Sequence, residues 1–391
     1  MDEERLLKTA RFIGKNMPNV KHFLIDGGWQ SPEAVNCPNC ANFYLPEGKW
    51  INDEKFPSGM KAMADKIREA GLTPAIWWSP SVSLHSTLAQ EHPEWLAKDA
   101  DGNIYRISNS GYLDYSLAPV QEYLHKVFTI LFKKWGYEAM KMDFWCQGVE
   151  AENIRYTTGT GTQWRDWLLS SIRSYLPQDG FLMTCVAVAM GNPFLGKHAN
   201  TYRCSIDVGA CDWREHVTAS IWNLPLHSLP GRSTILPNVD GFGWSSKMSD
   251  AENLHRLTYV FITMGSLEVD GRLEELAEDK VALLNRVMEN IDRGYPVTCP
   301  DAAAFTGKPL PNCLYVDYPA ESATAKRGVK KHIALFNWND EEQATGYSAA
   351  QLGIAGSETL TDFWTGETVT LTNNRLLEWL APHASRLIEV R

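Results

Sequence analysis

The chain has 391 residues, 44% hydrophobic and 21% charged, the composition of a soluble globular protein with two domains or one large barrel plus a smaller module. Its 37 basic and 47 acidic side chains give a net charge of -10, which argues against a nucleic-acid surface. No apolar run is long enough to span a bilayer and no basic-then-apolar leader opens the chain, so the expected location is cytoplasmic.

The first predicted element is a helix over "ERLLKTARFIGKNMP", with Leu6, Leu7, Ala10 and Ile13 at helical spacing. "KHFLIDGGWQ" is a short apolar run closed by Asp26 and two glycines. "SGMKAMADKIREAG" is a helix that stops at Gly71, and "TPAIWW" is a second strand. Helical patterns follow at 84–96 and 119–135, then the strand "YEAMKMD". A helix over 161–175 precedes "FLMTCVAV", and "TYRCSID" precedes a helix over 212–222. "STILPNVD" leads to a helix opened by Ser249 with Glu252 three residues on, a capping box. "GSLEVD" leads to a long helix over 272–292. The seven strands, near 22–26, 74–78, 138–143, 181–186, 202–207, 234–239 and 266–270, read as continuous apolar runs. Strands of that kind alternating with helices define a parallel sheet buried on both faces. After residue 295 the pattern becomes alternating, with turns at Asn339-Asp340 and Thr365-Gly366. That predicts an antiparallel β-sandwich.

Asp26, Asp143, Asp207, Asp240 and Asp270 stand at or near the ends of five strands. In a (β/α)8 barrel those ends form the rim that carries the active site. Lys141 and Asp143 are two apart in one strand, so they point the same way. Alone they would serve equally well as a structural ion pair; the other aspartates favour a site. The 15 tryptophans suit either sugar-stacking platforms or core packing. Cys37 and Cys40 form a lone CxxC, read as loop thiols in preference to zinc or a redox pair. No metal or other cofactor is expected.

The stretches "LIDGGWQ", "KFPSGMKAMADKIREAGLTPAIWWSP", "LDYSLAPVQEYLHKVFTILFKKWGYEAMKMDFW" and "YRCSIDVGACDW" resemble the clan of retaining α-glycosidases that includes the α-galactosidases, above all glycoside hydrolase family 36 with its raffinose-synthase relatives. The resemblance covers roughly residues 1–295. It implies that Asp143, in the Lys-x-Asp, is the nucleophile. The Arg-x-x-x-Asp of the related family 27 falls on Arg203 and Asp207, which makes Asp207 the general acid/base. It implies a catalytic barrel over 1–295 that lacks the family's first strand, with a C-terminal β-sandwich over 296–391. The family's large N-terminal β-domain is missing too; the chain is expected to be a fragment or a truncated reading frame, or another segment to fill the gap, or its barrel to stay open. The strand-end motif of galactosidases, Ile-Asp-Asp-Gly-Trp or Ile-Asp-Asp-Cys-Trp, is Ile25-Asp26-Gly27-Gly28-Trp29 here, so one carboxylate that holds sugar hydroxyls is absent.

A retaining glycosidase needs two carboxyl groups about 5–5.5 Å apart, one ionised and one protonated. Lys141 beside Asp143 is expected to favour the ionised form, and the apolar Val208-Gly209-Ala210 after Asp207 to favour the protonated one. Asp212 competes as the acid, but as the residue before Trp213 it reads better as a helix N-cap. Arg203 is expected to orient a carboxylate or a sugar hydroxyl. Asp26 suits paired sugar hydroxyls or a turn. Trp29, Trp77, Trp78, Trp145 and Cys185 complete the candidate substrate contacts. The expected activity is hydrolysis of terminal α-linked galactose-type sugars by double displacement. Transglycosylation, another sugar, or a carbohydrate-binding barrel without catalysis are the alternatives. The expected partner is an oligosaccharide or glycoside, with no nucleic acid and no membrane; a homo-oligomer is left open.

Overall fold

A computed structural model describes residues 1–31, 50–145, 148–185, 193–227, 235–263, 265–300 and 310–391. Cys37 and Cys40 lie outside them. The chain forms two compact units: Met1–Arg203 with Arg272–Glu275, and Cys204–Gly271 with Leu276–Arg391.

The first unit opens with α1 (Glu3–Asn16). The Asp2 side chain accepts from the Arg5 amide, and Leu7, Ala10 and Ile13 form its buried stripe. Then come β1 (His22–Ile25), α2 (Gly59–Glu69) and β2 (Thr73–Trp78). Helix α2 buries Met60, Met63, Ala64 and Ile67, and Gly71 turns the chain with φ 84°. A small antiparallel sheet follows, of β3 (Ser81–Ser83), β4 (Arg106–Ile107) and β5 (Ser110–Tyr112) in the order β3-β5-β4. It went unseen in the sequence because strands of two or three residues carry no periodicity. The helix expected over 84–96 is only α3 (Thr87–Glu91) and a 3-10 turn over Pro93–Trp95. Pro93 breaks it by disfavouring helical backbone at His92. Next are α4 (Ala118–Phe128), continued by a π-helix over Thr129–Lys134, then β6 (Ala139–Met142), α5 (Gly161–Tyr175), β7 (Phe181–Thr184) and β8 (Thr201–Arg203). A Thr160/Gln163 capping box fixes the start of α5. The order β1-β2-β6-β7-β8 is parallel throughout, with Trp77 beside Lys141 and Lys141 beside Met183. All four residues of β6 are buried, as a strand covered on both faces requires.

The second unit holds α6 (Trp213–His227), β9 (Leu236–Phe242), α7 (Asp250–Thr263), β10 (Ser266–Val269) and α8 (Glu278–Asn290). Strands β9 and β10 pair in parallel with a bulge: Asn238 faces Ser266, but Gly241 faces Glu268. The additional residue lies on β9, where Asp240 takes φ 78°. The helix expected over 272–292 is split at Ala277, whose extended backbone separates a 3-10 turn over Leu273–Glu275 from α8. The C-terminal strands are β11 (Cys313–Asp317), β12 (Lys331–Phe336), β13 (Gln343–Ser348), β14 (Leu360–Asp362), β15 (Thr368–Val369), β16 (Arg375–Leu380) and β17 (Ser385–Val390). They make an antiparallel sheet β11-β12-β17-β14-β15 and a β13-β16 pair, closed around Ile333, Leu335, Leu352, Leu376 and Ile388. Helix α7 is buried along almost its whole length because it packs on this sheet; Trp364 and Ser385 both hydrogen-bond Thr258.

The fold class is therefore α/β, with seven parallel strands of a (β/α) barrel type followed by antiparallel sheets, as the strand pattern predicts. Among the described residues no helix is long and apolar enough to cross a membrane.

Candidate active site

The first unit places its expected residues around the ends of β1, β2 and β6. Asp143 is the residue after β6, and its amide continues the ladder by donating to the Trp78 carbonyl at 2.9 Å. Its carboxylate is buried. One oxygen accepts from the Trp77 indole at 3.0 Å and the other from the Phe144 amide at 2.8 Å. Two N–H donors, one on each oxygen, fix the direction of this carboxylate.

The lysine has a different partner from the one expected. Lys141 is buried and its ammonium lies 2.8 Å from Asp26 Oδ2. The other Asp26 oxygen accepts from the Gly27 amide at 2.6 Å. The sequence put Lys141 beside Asp143 because they share a strand face; the parallel sheet instead offers it a carboxylate 115 residues away. Asp26 pairs with Lys141, and Trp77 and Phe144 donate to Asp143.

Phe144 has φ 51°, the left-handed region that a bulky residue rarely enters. Its amide serves Asp143, and its carbonyl accepts from the Tyr112 hydroxyl at 2.9 Å. Tyr112 ends β5, so the small sheet braces the turn that orients Asp143. Nothing in the sequence pointed to Tyr112.

The four tryptophans are buried. Trp29 donates its indole N–H to the Trp77 carbonyl at 3.0 Å and meets Trp135 edge-on. Trp78 packs edge-on against Phe128, and Trp145 is enclosed. The structure thus makes Trp29, Trp78 and Trp145 core residues, one of the two uses the sequence allowed. Trp77 is different, since its polar edge holds Asp143 and its ring flanks Gly27: a Cβ built there would lie 3.5 Å from that ring. Cys185 and Arg203 follow and end adjacent strands and are both buried, with the guanidinium 3.5 Å from the thiol sulfur.

The second unit places Asp207 four residues past the end of β8, exposed on a loop. The apolar surroundings expected for it belong to the next residue: Val208 is buried in a cluster with Cys211, Ala219 and Met248. The shielding inferred from Val208-Gly209-Ala210 does not reach the Asp207 side chain, because Val208 turns inward while Asp207 turns out. Asp212 caps α6: its Oδ1 accepts from the Glu215 amide at 2.8 Å, and Glu215 accepts from the Asp212 amide at 2.9 Å. Asp212→Ala should therefore cost about 1 kcal/mol of stability and leave enzymatic leaving-group preference unchanged. Urea melts and paired substrate assays check both points.

Asp240 and Asp270, expected at the rim, are bonded into the loops. Asp240 Oδ2 accepts from the amides of Val208 at 2.5 Å and Gly209 at 3.1 Å. Asp270 faces Gly209, Gly241 and Gly243 so closely that a Cβ at Gly243 would come within 2.3 Å of its carboxylate. Arg256 was not singled out in the sequence. It is buried and donates to the carbonyls of Gly209 at 2.6 Å and Gly241 at 2.7 Å. Burial lowers its pKa, opposed by the nearby charges of Cys211, Asp270 and Asp240. Among the described residues no cluster of three or more His, Cys, Asp or Glu side chains is arranged to hold a metal ion.

The first unit thus sets a parallel barrel-type sheet with Asp143 held by Trp77 beside the Lys141–Asp26 pair. The Melibiase family model matches residues 3–167, so that segment is similar to the melibiase family. It is 29% identical over 143 residues to the A type blood alpha-D-galactosamine galactosaminidase of Flavonifractor plautii, covering 32% of this chain and 12% of that protein. It is 28% identical over 165 residues to alpha-galactosidase AgaA of Geobacillus stearothermophilus, covering 40% of this chain and 21% of that one. The chain thus spans about a fifth or less of the length of these relatives. Its fold is similar over 100% of the chain to the GH27 β-L-arabinopyranosidase of Geobacillus stearothermophilus, with a TM-score of 0.72, 18% identity and 92% of that chain covered.

Proposed function

We propose that the protein is a retaining glycoside hydrolase acting on terminal α-linked galactose-type sugars. The observation that carries this reading is the buried Asp143 carboxylate, aimed by Trp77 and the Phe144 amide from the end of a parallel strand. In this reading Asp143 attacks the anomeric carbon, the glycosidic C–O bond breaks, and Asp207 protonates the departing oxygen. Water then attacks the glycosyl-enzyme ester, Asp207 takes the water's proton, and Asp143 departs as a carboxylate. Asp26 accepts hydrogen bonds from sugar hydroxyls, its charge balanced by Lys141. The relatives' printed names include a galactosaminidase, an α-galactosidase and a β-L-arabinopyranosidase. All three sugars share the galacto arrangement of ring hydroxyls and differ in the groups on the ring.

Gly27 bears on the choice among them. The galactosidase motif has a second carboxylate where this chain has Gly27. Loss of one charged hydrogen bond corresponds to roughly 1–3 kcal/mol of discrimination. The test is a panel of nitrophenyl α-galactoside, α-N-acetylgalactosaminide, β-L-arabinopyranoside and α-glucoside. The expected result is turnover of galacto-configured members with weak selectivity. Gly27→Asp should raise galactoside kcat/KM relative to the others by about 5-fold or more; the space beside Trp77 accepts a Cβ in ordinary contact. No turnover anywhere on the panel would sink the hydrolase reading. An unmoved ratio would remove Gly27 from the sugar site.

A further inference from the structure

We infer that Asp240 and Arg256 are positioning residues that set the aim of Asp207. This rests on the reading of Asp207 as the general acid/base. Asp207 is exposed on a loop, so the backbone of that loop bears on its direction. Its neighbours are firmly held. Val208 is anchored in the Cys211, Ala219 and Met248 cluster. The amides of Val208 and Gly209 both donate to Asp240 Oδ2. The Gly209 carbonyl accepts from Arg256 Nη1. The two faces of the Gly209 residue are thus gripped by opposite charges, and Arg256 also binds the Gly241 carbonyl beside Asp240.

The clamp depends on the β9 bulge. In a regular strand position 240 would alternate with its neighbours; the additional residue and φ 78° re-aim its side chain toward the Asp207 loop. The Asp240 amide is tied back to Asn238 Oδ1 at 2.9 Å, and the Cys204 amide donates to the Asn238 carbonyl at 2.8 Å. Both ends of the loop therefore register on the same bulge. Left-handed backbone at a non-glycine residue persists where the surroundings enforce it and clusters at functional sites. A proton donor must hold its geometry closely, and a misplacement of about 1 Å costs on the order of 100-fold.

Asp240→Gly suits the left-handed backbone and removes the acceptor with its charge, while Asp240→Asn keeps a weaker acceptor in the same conformation. Rates are measured on methyl α-galactoside, whose leaving group needs a proton, and on α-galactosyl fluoride, which needs none. Asp207→Ala is run in parallel. Asp240→Gly should lower kcat/KM on the methyl glycoside by about 100-fold and on the fluoride by less than about 3-fold. Asp240→Asn should fall between it and the parent, and Arg256→Lys should show the same leaving-group preference. Equal losses on both substrates, or no loss, with Asp207→Ala still discriminating between them, would overturn the clamp alone. If Asp207→Ala itself does not discriminate, the acid assignment fails and this inference with it.

Discussion

Asp143→Ala should abolish turnover of every glycoside, activated or not, by on the order of 10⁴-fold or more. Without the carboxylate no glycosyl-enzyme can form, and a better leaving group does not substitute for the nucleophile. Asp207→Ala should behave differently. Its first step survives on glycosyl fluorides, which leave without protonation, and its second step then lacks a base. Azide needs no base, so it should restore turnover of Asp207→Ala and give a glycosyl azide of retained configuration. At Asp143→Ala azide can act only from the vacated nucleophile's side, directly on the substrate, and any azide product must be inverted. The two stereochemical outcomes assign the two roles independently. A retained azide from Asp143→Ala, or measurable turnover of unactivated glycosides by it, would remove Asp143 from the nucleophile's role. Equal loss on all substrates without azide rescue would remove Asp207 and return attention to Asp212, whose capping bonds already argue against it.

What the sequence disclosed follows from which interactions are local. Strands such as Ala139–Met142 are buried on both faces and read directly as apolar runs, and Thr160 with Gln163 announces the start of α5. Asp143 stood out because a charged residue at the end of such a run needs a reason. Its holders were harder to see. Trp77 is 66 residues away, and Lys141 turns to Asp26 across 115 residues; alternation along a strand gives a side chain's face, not its partner. Phe144 and Asp240 take left-handed backbone with residue types that give no hint of it, so the turn behind Asp143 and the β9 bulge were both invisible. Tryptophan count could not separate platform from core. Trp29 and Trp78 are core by packing, while Trp77 acts through its N–H. Arg256 sits mid-helix among apolar residues, where an arginine needs buried partners, and that mismatch was the available signal for it.

Lowering the pH from 7 to 5 should destabilise the second unit before its carboxylates titrate, and buried histidines, His255 among them, are the cause. This side chain lies within α7, fully buried among the rings of Trp213, His216, Phe336 and Trp338. Its Nδ1 is 3.1 Å from the His383 carbonyl, which can only accept, so the neutral ring carries its proton there. Burial pushes its pKa from 6.5 down to about 3, against the raising effect of the backbone carbonyls. His216, edge-on to it and equally enclosed, is lowered in the same direction by burial and then by His255 and Arg256. The sign follows directly. Above pH 6.5 the ring is neutral in both folded and unfolded chains, and its contribution is complete. Below 6.5 the unfolded chain takes up a proton that the folded chain refuses, so stability falls until the folded group titrates near 3. For His255 alone the loss is about 2 kcal/mol by pH 5 and at most about 5 kcal/mol in full. Paired carboxylates act in a lower window: Glu389, held down to about 2 chiefly by His332, whose Nε2 lies 3.6 Å from it, loses its contribution only below 4.5. Urea melts followed by tryptophan fluorescence at pH 7, 6 and 5 separate the two, since Trp213 and Trp338 flank the ring. His255→Phe gives up the bond to His383 and some stability at pH 7, but it should flatten the slope between pH 7 and 5 by about 2 kcal/mol. A parent protein equally stable at pH 7 and 5, or a phenylalanine variant with an unchanged slope, would show that the buried imidazole does not set the acid limit.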